Sequence, residues 1–215
     1  MKPTLRYRSS NFYRIFNFKD ETAKGRVSML SSAVIVQALI PFTSGVFYTG
    51  FLIANDIDLV NANIMYFIPQ IAGLLNFLSP YLLEKLSKRK TLLLSTRLLY
   101  YVLNILGITV LPLIVHDTHI KMIGFAVLLF VSSGISALTS TGFTSWHLSF
   151  IPQEVRVDYF GYVQIVKCTV YGIIILLSGY IADALKGSPN ETTVLYALRF
   201  FAFLMAAVEI VFLSL

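Results

Sequence analysis

Ionisable side chains stand inside apolar runs of this 215-residue sequence, among them Lys167 in "YVQIVKCTVYG" and Glu209 in "FLMAAVEIVFL". A charge at membrane depth is costly enough that its default reading is functional, as a solute contact, a proton or ion relay, or one member of a buried pair. Lys167 falls about eight residues, roughly 12 Å at 1.5 Å per residue, into its run. Glu209 falls toward the same end of the next run. The two are expected to form an ion pair or to share a solute site, and snorkelling of the lysine to the headgroups is the bland alternative. A second group offers neutral hydrogen bonds. Ser133, Ser136 and Ser140 repeat at three- and four-residue spacing, one helical face, and Gln37 and Gln70 add amides in earlier runs. Such a face lines a cavity for a polar or amphipathic organic solute, or permits close helix packing.

These residues need membrane helices to hold them. Hydrophobic residues make up 56% of the chain and charged ones 13%, against about 25% charged in an ordinary soluble domain. Six apolar runs, 28–54, 61–83, 91–115, 121–145, 159–185 and 193–215, each have the length of a crossing helix. The expectation is an all-α membrane protein in two parts, a basic amino-terminal arm at 1–27 and a bundle of six transmembrane helices at 28–215.

Seventeen Lys and Arg give a formal charge of +6, and most of them gather in the arm and in "EKLSKRKTLLLSTR" at 84–97. The positive-inside rule places both stretches, and both termini, in the cytoplasm. The turns "NDIDLVN" and "HDTHIK" then lie outside. Bases confined to two clusters argue against nucleic acid as a partner and leave lipids and a solute. The single cysteine, Cys168, allows no internal disulfide. His116, His119 and His147 are split between loops on opposite faces, so no metal site is expected, and no glycine-rich phosphate loop is present. Neither an enzyme nor a cofactor is indicated. Trp146, beside a predicted inner boundary, suits an interfacial anchor.

The stretch "SPYLLEKLSK" at 79–88 aligns without gaps on "SGYIADALKG" at 178–187, with Ser, Tyr and Leu shared and an acid at Glu84 and Asp183. An offset of three runs would turn the copies over, the inverted three-plus-three repeat of secondary transporters; the bland reading is chance similarity of apolar spans.

Two loops carry a family resemblance. Pro80 to Arg89 resembles the signature G-x-x-x-D-R-x-G-R-K/R of the major facilitator superfamily, with Glu84 at the acid and Lys85, Lys88 and Arg89 at the bases. Pro80 and Ser87 stand in place of its glycines. The stretch "IPQEVRVDYFG" is similar to the P-x-x-x-R-x-x-x-F-G loop of bacterial members, at Pro152, Arg156, Phe160 and Gly161. The resemblance implies a secondary active transporter moving a small organic solute by alternating access in a bacterial plasma membrane. It also implies that the charged turn of Glu84, Lys85, Ser87, Lys88 and Arg89, with Arg156, latches the cytoplasmic ends. Members have two six-helix halves, so this chain matches an amino-terminal half and calls for a second half as partner. The arginine and glycine-proline patterns of proton-coupled and drug-exporting members are absent. A six-span adaptor or sensor that moves no solute is the alternative.

Overall fold

The computed structural model describes Ile15 and residues 21–84, 89–185 and 191–214. All regular structure among them is helical: α1 (Glu21–Thr43), α2 (Gly45–Ile53), α3 (Leu59–Gly73), a 3-10 stretch (Leu74–Leu78), α4 (Ser79–Glu84), α5 (Arg89–Tyr101), a π-helical stretch (Val102–Gly107), α6 (Ile108–Ile114), α7 (Thr118–Ser149), α8 (Arg156–Leu185) and α9 (Glu191–Ser214). Helices follow from the solvent, because hydrocarbon offers a peptide group no partner and each must be satisfied within the chain.

Five helices among the described residues are long and apolar enough to cross a membrane: Ala23–Ile53, Lys90–Ile114, Thr118–Ser149, Gln153–Ile181 and Glu191–Ser214. The chain is thus built as a multi-pass membrane protein. Six were expected, and the run at 61–83 is the one that fails. It divides into α3, the 3-10 stretch and α4, and Asn61, Asn63, Gln70 and Asn76 interrupt its apolar surface. The inverted three-plus-three repeat falls with it. Its two aligned segments also differ locally, since Ser79 opens the six-residue α4 whereas Ser178 lies inside the thirty-residue α8.

Packing runs in sequence around the bundle. α8 lies on α1, α1 on α9, α9 on α5, α5 on α7, and α7 on α3 and α4. Ala202 and Ala206, both fully buried and one turn apart, let α9 approach α1, where Ile35, Leu39 and Phe42 meet Tyr101 and Ile105. Small residues matter here because lipid supplies no hydrophobic drive between helices, leaving close contact and hydrogen bonds to hold them. Near the other end Phe51, Leu52, Met65, Ile108 and Phe125 form a second core.

The turns "NDIDLVN" and "HDTHIK" meet at one end of the bundle. Asp58 caps α3 by accepting from the Asn61 amide at 2.7 Å, and Asp117 caps α7 by accepting from the Ile120 amide at 2.9 Å. Lys121, buried, bonds the Asn55 carbonyl and the Asp56 carboxylate, each at 2.9 Å. Lys90 and the Ser214 carbonyl, 2.9 Å apart, mark the opposite end.

The first crossing helix is broken. Pro41 lies in its last turn, Ser44 is extended, and Gly45 has φ +72°, a left-handed conformation open to glycine at little cost. Gly50 lies in regular helix with free space around it. Gly45→Ala is therefore expected to destabilise the protein by about 1 kcal/mol, and Gly50→Ala to leave it unchanged or slightly more stable. Reversible unfolding in mixed detergent micelles measures both, and equal effects would show that the break carries no conformational constraint.

Candidate functional site

Glu209 is fully buried where α1, α5 and α9 meet. Its Oε1 accepts from the Ser32 hydroxyl at 2.6 Å and its Oε2 from the Tyr101 hydroxyl at 3.0 Å. Arg97 supplies the opposite charge, its Nη2 lying 3.5 Å from Oε1. The guanidinium also lies 5.0 Å from the Tyr101 ring centre, 5.5 Å from that of Phe143 and 5.9 Å from that of Tyr100. Aromatic faces of this kind supplement a single acid in a site from which water is excluded. The Nε of Arg97 is buried with no hydrogen-bond partner among the described residues.

The expected partner of Glu209, Lys167, is not the one found. Lys167 sits half-buried on α8, which packs chiefly on α1, whereas α5 is packed directly against α9 and brings Arg97 to the acid. In the sequence Arg97 reads as the last base of a cytoplasmic cluster. About two turns of α5 beyond its start at Arg89 are enough to carry it inward.

A buried cation within the last apolar run was not singled out at all. Arg199, in "ALRFFAF", is 2% exposed and bonds no carboxylate among the described residues. Its Nε donates to the Thr109 hydroxyl at 2.9 Å, its Nη1 to the Phe42 carbonyl at 3.4 Å, and its Nη2 to the Asn104 carbonyl at 3.1 Å and the Ile105 carbonyl at 3.5 Å. The guanidinium lies 4.7 Å from the Phe51 ring centre and 5.6 Å from that of Tyr48. Its acceptors come from the two irregular places in the backbone, the break after α1 and the π-helical stretch, where the regular ladder of carbonyls is disturbed. The only sequence signal was an arginine between aromatic and apolar residues, which deserves the same default reading as Lys167.

The hydroxyl face forms as spaced. Ser133, Ser136 and Ser140 line a groove of about 340 Å³ together with Pro69, Asn76 and Tyr100. Ser140 donates to the Asn76 side-chain oxygen at 2.5 Å and Thr141 reaches the same atom at 3.4 Å. Gln70, exposed on α3, and Gln37, half-buried on α1, are not among the lining residues, nor is Lys167. Tyr100 connects groove and ion pair, walling the one and stacking against Arg97 of the other.

Of the charged turn, Glu84 is exposed and lines a cavity of about 370 Å³ with Lys90, Thr141 and Trp146. Lys85, Ser87 and Lys88 lie outside the described residues, and of Arg89 only the backbone is described, opening α5. Arg156 donates to the carbonyls of Leu148 and Ile151 at 3.5 and 3.4 Å, so the contacts it makes are those of a cation at the carboxyl end of α7. No group of three metal-binding side chains occurs among the described residues.

Removing Arg97 strands a buried carboxylate. Arg97→Met is expected to cost about 3–5 kcal/mol, and the double change Arg97→Met with Glu209→Met to recover most of it, because an apolar pair of similar volume needs no solvation. A double-mutant cycle read by unfolding in mixed micelles measures the coupling, and additive effects would mean that the two charges do not depend on each other.

Searches against family models, curated proteins and solved structures found no match to this chain, so its function has to be read from the site itself.

Proposed function

We propose that the chain is the solute-handling part of a secondary membrane transporter, acting on a small polar organic solute. The observation that carries this reading is the groove of Ser133, Ser136, Ser140 and Asn76 along the middle of α7, separated by one tyrosine from the Arg97–Glu209 pair. Hydroxyl and amide groups on an outer face at membrane depth are poorly served by lipid. They are well served by a water-filled path or a hydrogen-bonding solute. Asn76 is exposed, and its oxygen already accepts from α7, so the groove is a preformed row of acceptors and donors joining two helices.

The resemblance of the 80–89 and 152–161 loops to the major facilitator superfamily supports the same class, with alternating access as the mechanism. A helical partner, from a longer chain or a second one, would close the open side of the groove. On this reading the basic end of the bundle faces the cytoplasm, and Tyr100 transmits occupancy of the groove to Arg97.

Cysteine accessibility tests the reading. In a Cys168→Ser background, Ser133→Cys, Ser136→Cys and Ser140→Cys in sealed vesicles are expected to react with a small water-soluble thiol reagent, at least about tenfold faster than a cysteine at the exposed apolar position Val127. Reaction rates equal to that of Val127→Cys would place the hydroxyl face against lipid and remove the transport reading in favour of an adaptor or sensor.

A further inference from the structure

A smaller cavity, of about 210 Å³, opens at the end of the bundle marked by Lys90 and Ser214, where the beginnings of α1 and α5 meet the ends of α7 and α9. The side chains that give it chemical character are Lys24 and Ser28 from α1, Lys90 from α5, and Trp146 and His147 from α7. Among the described residues no carboxylate lines it. Glu209 is taken up by Arg97, Ser32 and Tyr101, and Glu84 lines the neighbouring cavity on the far side of Lys90 and Trp146.

The Ser28 hydroxyl already donates to the Phe212 carbonyl, but other donors remain. Lys90 uses one N–H on the Ser214 carbonyl, leaving two. The Nε2 of His147 is buried without a hydrogen-bond partner among the described residues. The approach that builds the cavity is tight: a Cβ on Gly25 would come within 2.5 Å of the Phe150 ring, so glycine is what lets α1 settle against the end of α7. The volume is below the roughly 300 Å³ of a drug-sized pocket. It suits a compact anionic group with an attached apolar part running out along Leu213 and Phe150. Trp146, 6.0 Å from the Lys90 ammonium, sits at the depth where indoles anchor at headgroups.

We infer that this cavity is a binding site for a phosphate-bearing anion, filled from the bilayer by the headgroup of an anionic phospholipid. Basic pockets between crossing helices take such headgroups because the phosphate gains charge-assisted hydrogen bonds while its chains stay in lipid. A soluble phosphate shares the chemistry but lacks the chains. This site is separate from the groove and does not depend on a transport function.

Trp146 is the single tryptophan of the chain and reports on the cavity directly. The full chain is reconstituted in dioleoylphosphatidylcholine vesicles containing small fractions of brominated phosphatidylglycerol or brominated phosphatidylcholine, whose bromines quench indole on contact. The expected result is quenching by the phosphatidylglycerol at a lower mole fraction, with a preference that falls about fivefold for each of Lys24→Gln and Lys90→Gln. Quenching relieved by millimolar inorganic phosphate would support the phosphate site while assigning its ligand to solution. Equal quenching by the two lipids overturns the proposal. So does a preference that survives in the double variant, because the remaining bases would then account for it. An unchanged emission maximum shows that a variant is folded, and Lys24→Gln, on an exposed side chain in the first turns of α1, serves alone if the double variant is not.

Discussion

The carbonyl of Phe42 at the break in the first crossing helix, and those of Asn104 and Ile105 in the π-helical stretch, lie where no water can serve them, and Arg199 is the donor that all three share. An isolated guanidinium would be as badly placed as they are. Together they satisfy one another, and the aromatic faces of Phe51 and Tyr48 complete the surroundings of the cation. The irregular backbone and the unpaired arginine are thus one feature with two ends. Remove the arginine and the break loses its shared donor; regularise the helices and the arginine keeps only the Thr109 hydroxyl and the aromatic faces.

Arg97 is solvated differently. Arg97 faces a carboxylate fixed by two hydroxyl donors, an arrangement in which charge, aromatic stacking and hydrogen bonds are all specific to one position of α5 against α9. Neutral partners come to Arg199 from the backbone itself, so its position follows the path of the chain. The bundle therefore has one polar centre sensitive to how helices are placed and another sensitive to how they are shaped. The groove adjoins the first through Tyr100.

Much of the architecture was legible in the residues. The apolar runs at 91–115, 121–145, 159–185 and 193–215 mark helices long and apolar enough to cross a membrane. The spacing of Ser133, Ser136 and Ser140 placed them on one face, which is where they lie. Helical spacing is a local property, and local properties survive translation into structure. The partner of Glu209 was not legible, because Lys167 and Arg97 are equally basic and only the packing order of α5, α8, α9 and α1 separates them. The count of crossing helices failed at 61–83, where length suggested a span but four amides and a 3-10 stretch divide the apolar surface. Arg199 was hidden for a related reason: three of its four acceptors are carbonyls, which no side-chain sequence displays.

The broken first helix also bears on biosynthesis. Phe42 and Arg199 are 157 residues apart, so at about 5–20 residues per second the ribosome makes the donor roughly 8–30 s after the acceptor. For most of that interval α1 and α2 have left the exit tunnel while the segment that completes them is still being made. The nine residues of α2 cannot cross a bilayer by themselves. The nascent chain must hold α1 beside the insertion machinery, or against provisional partners, until α9 arrives, and membrane integration of α1 and α9 becomes a single coupled event.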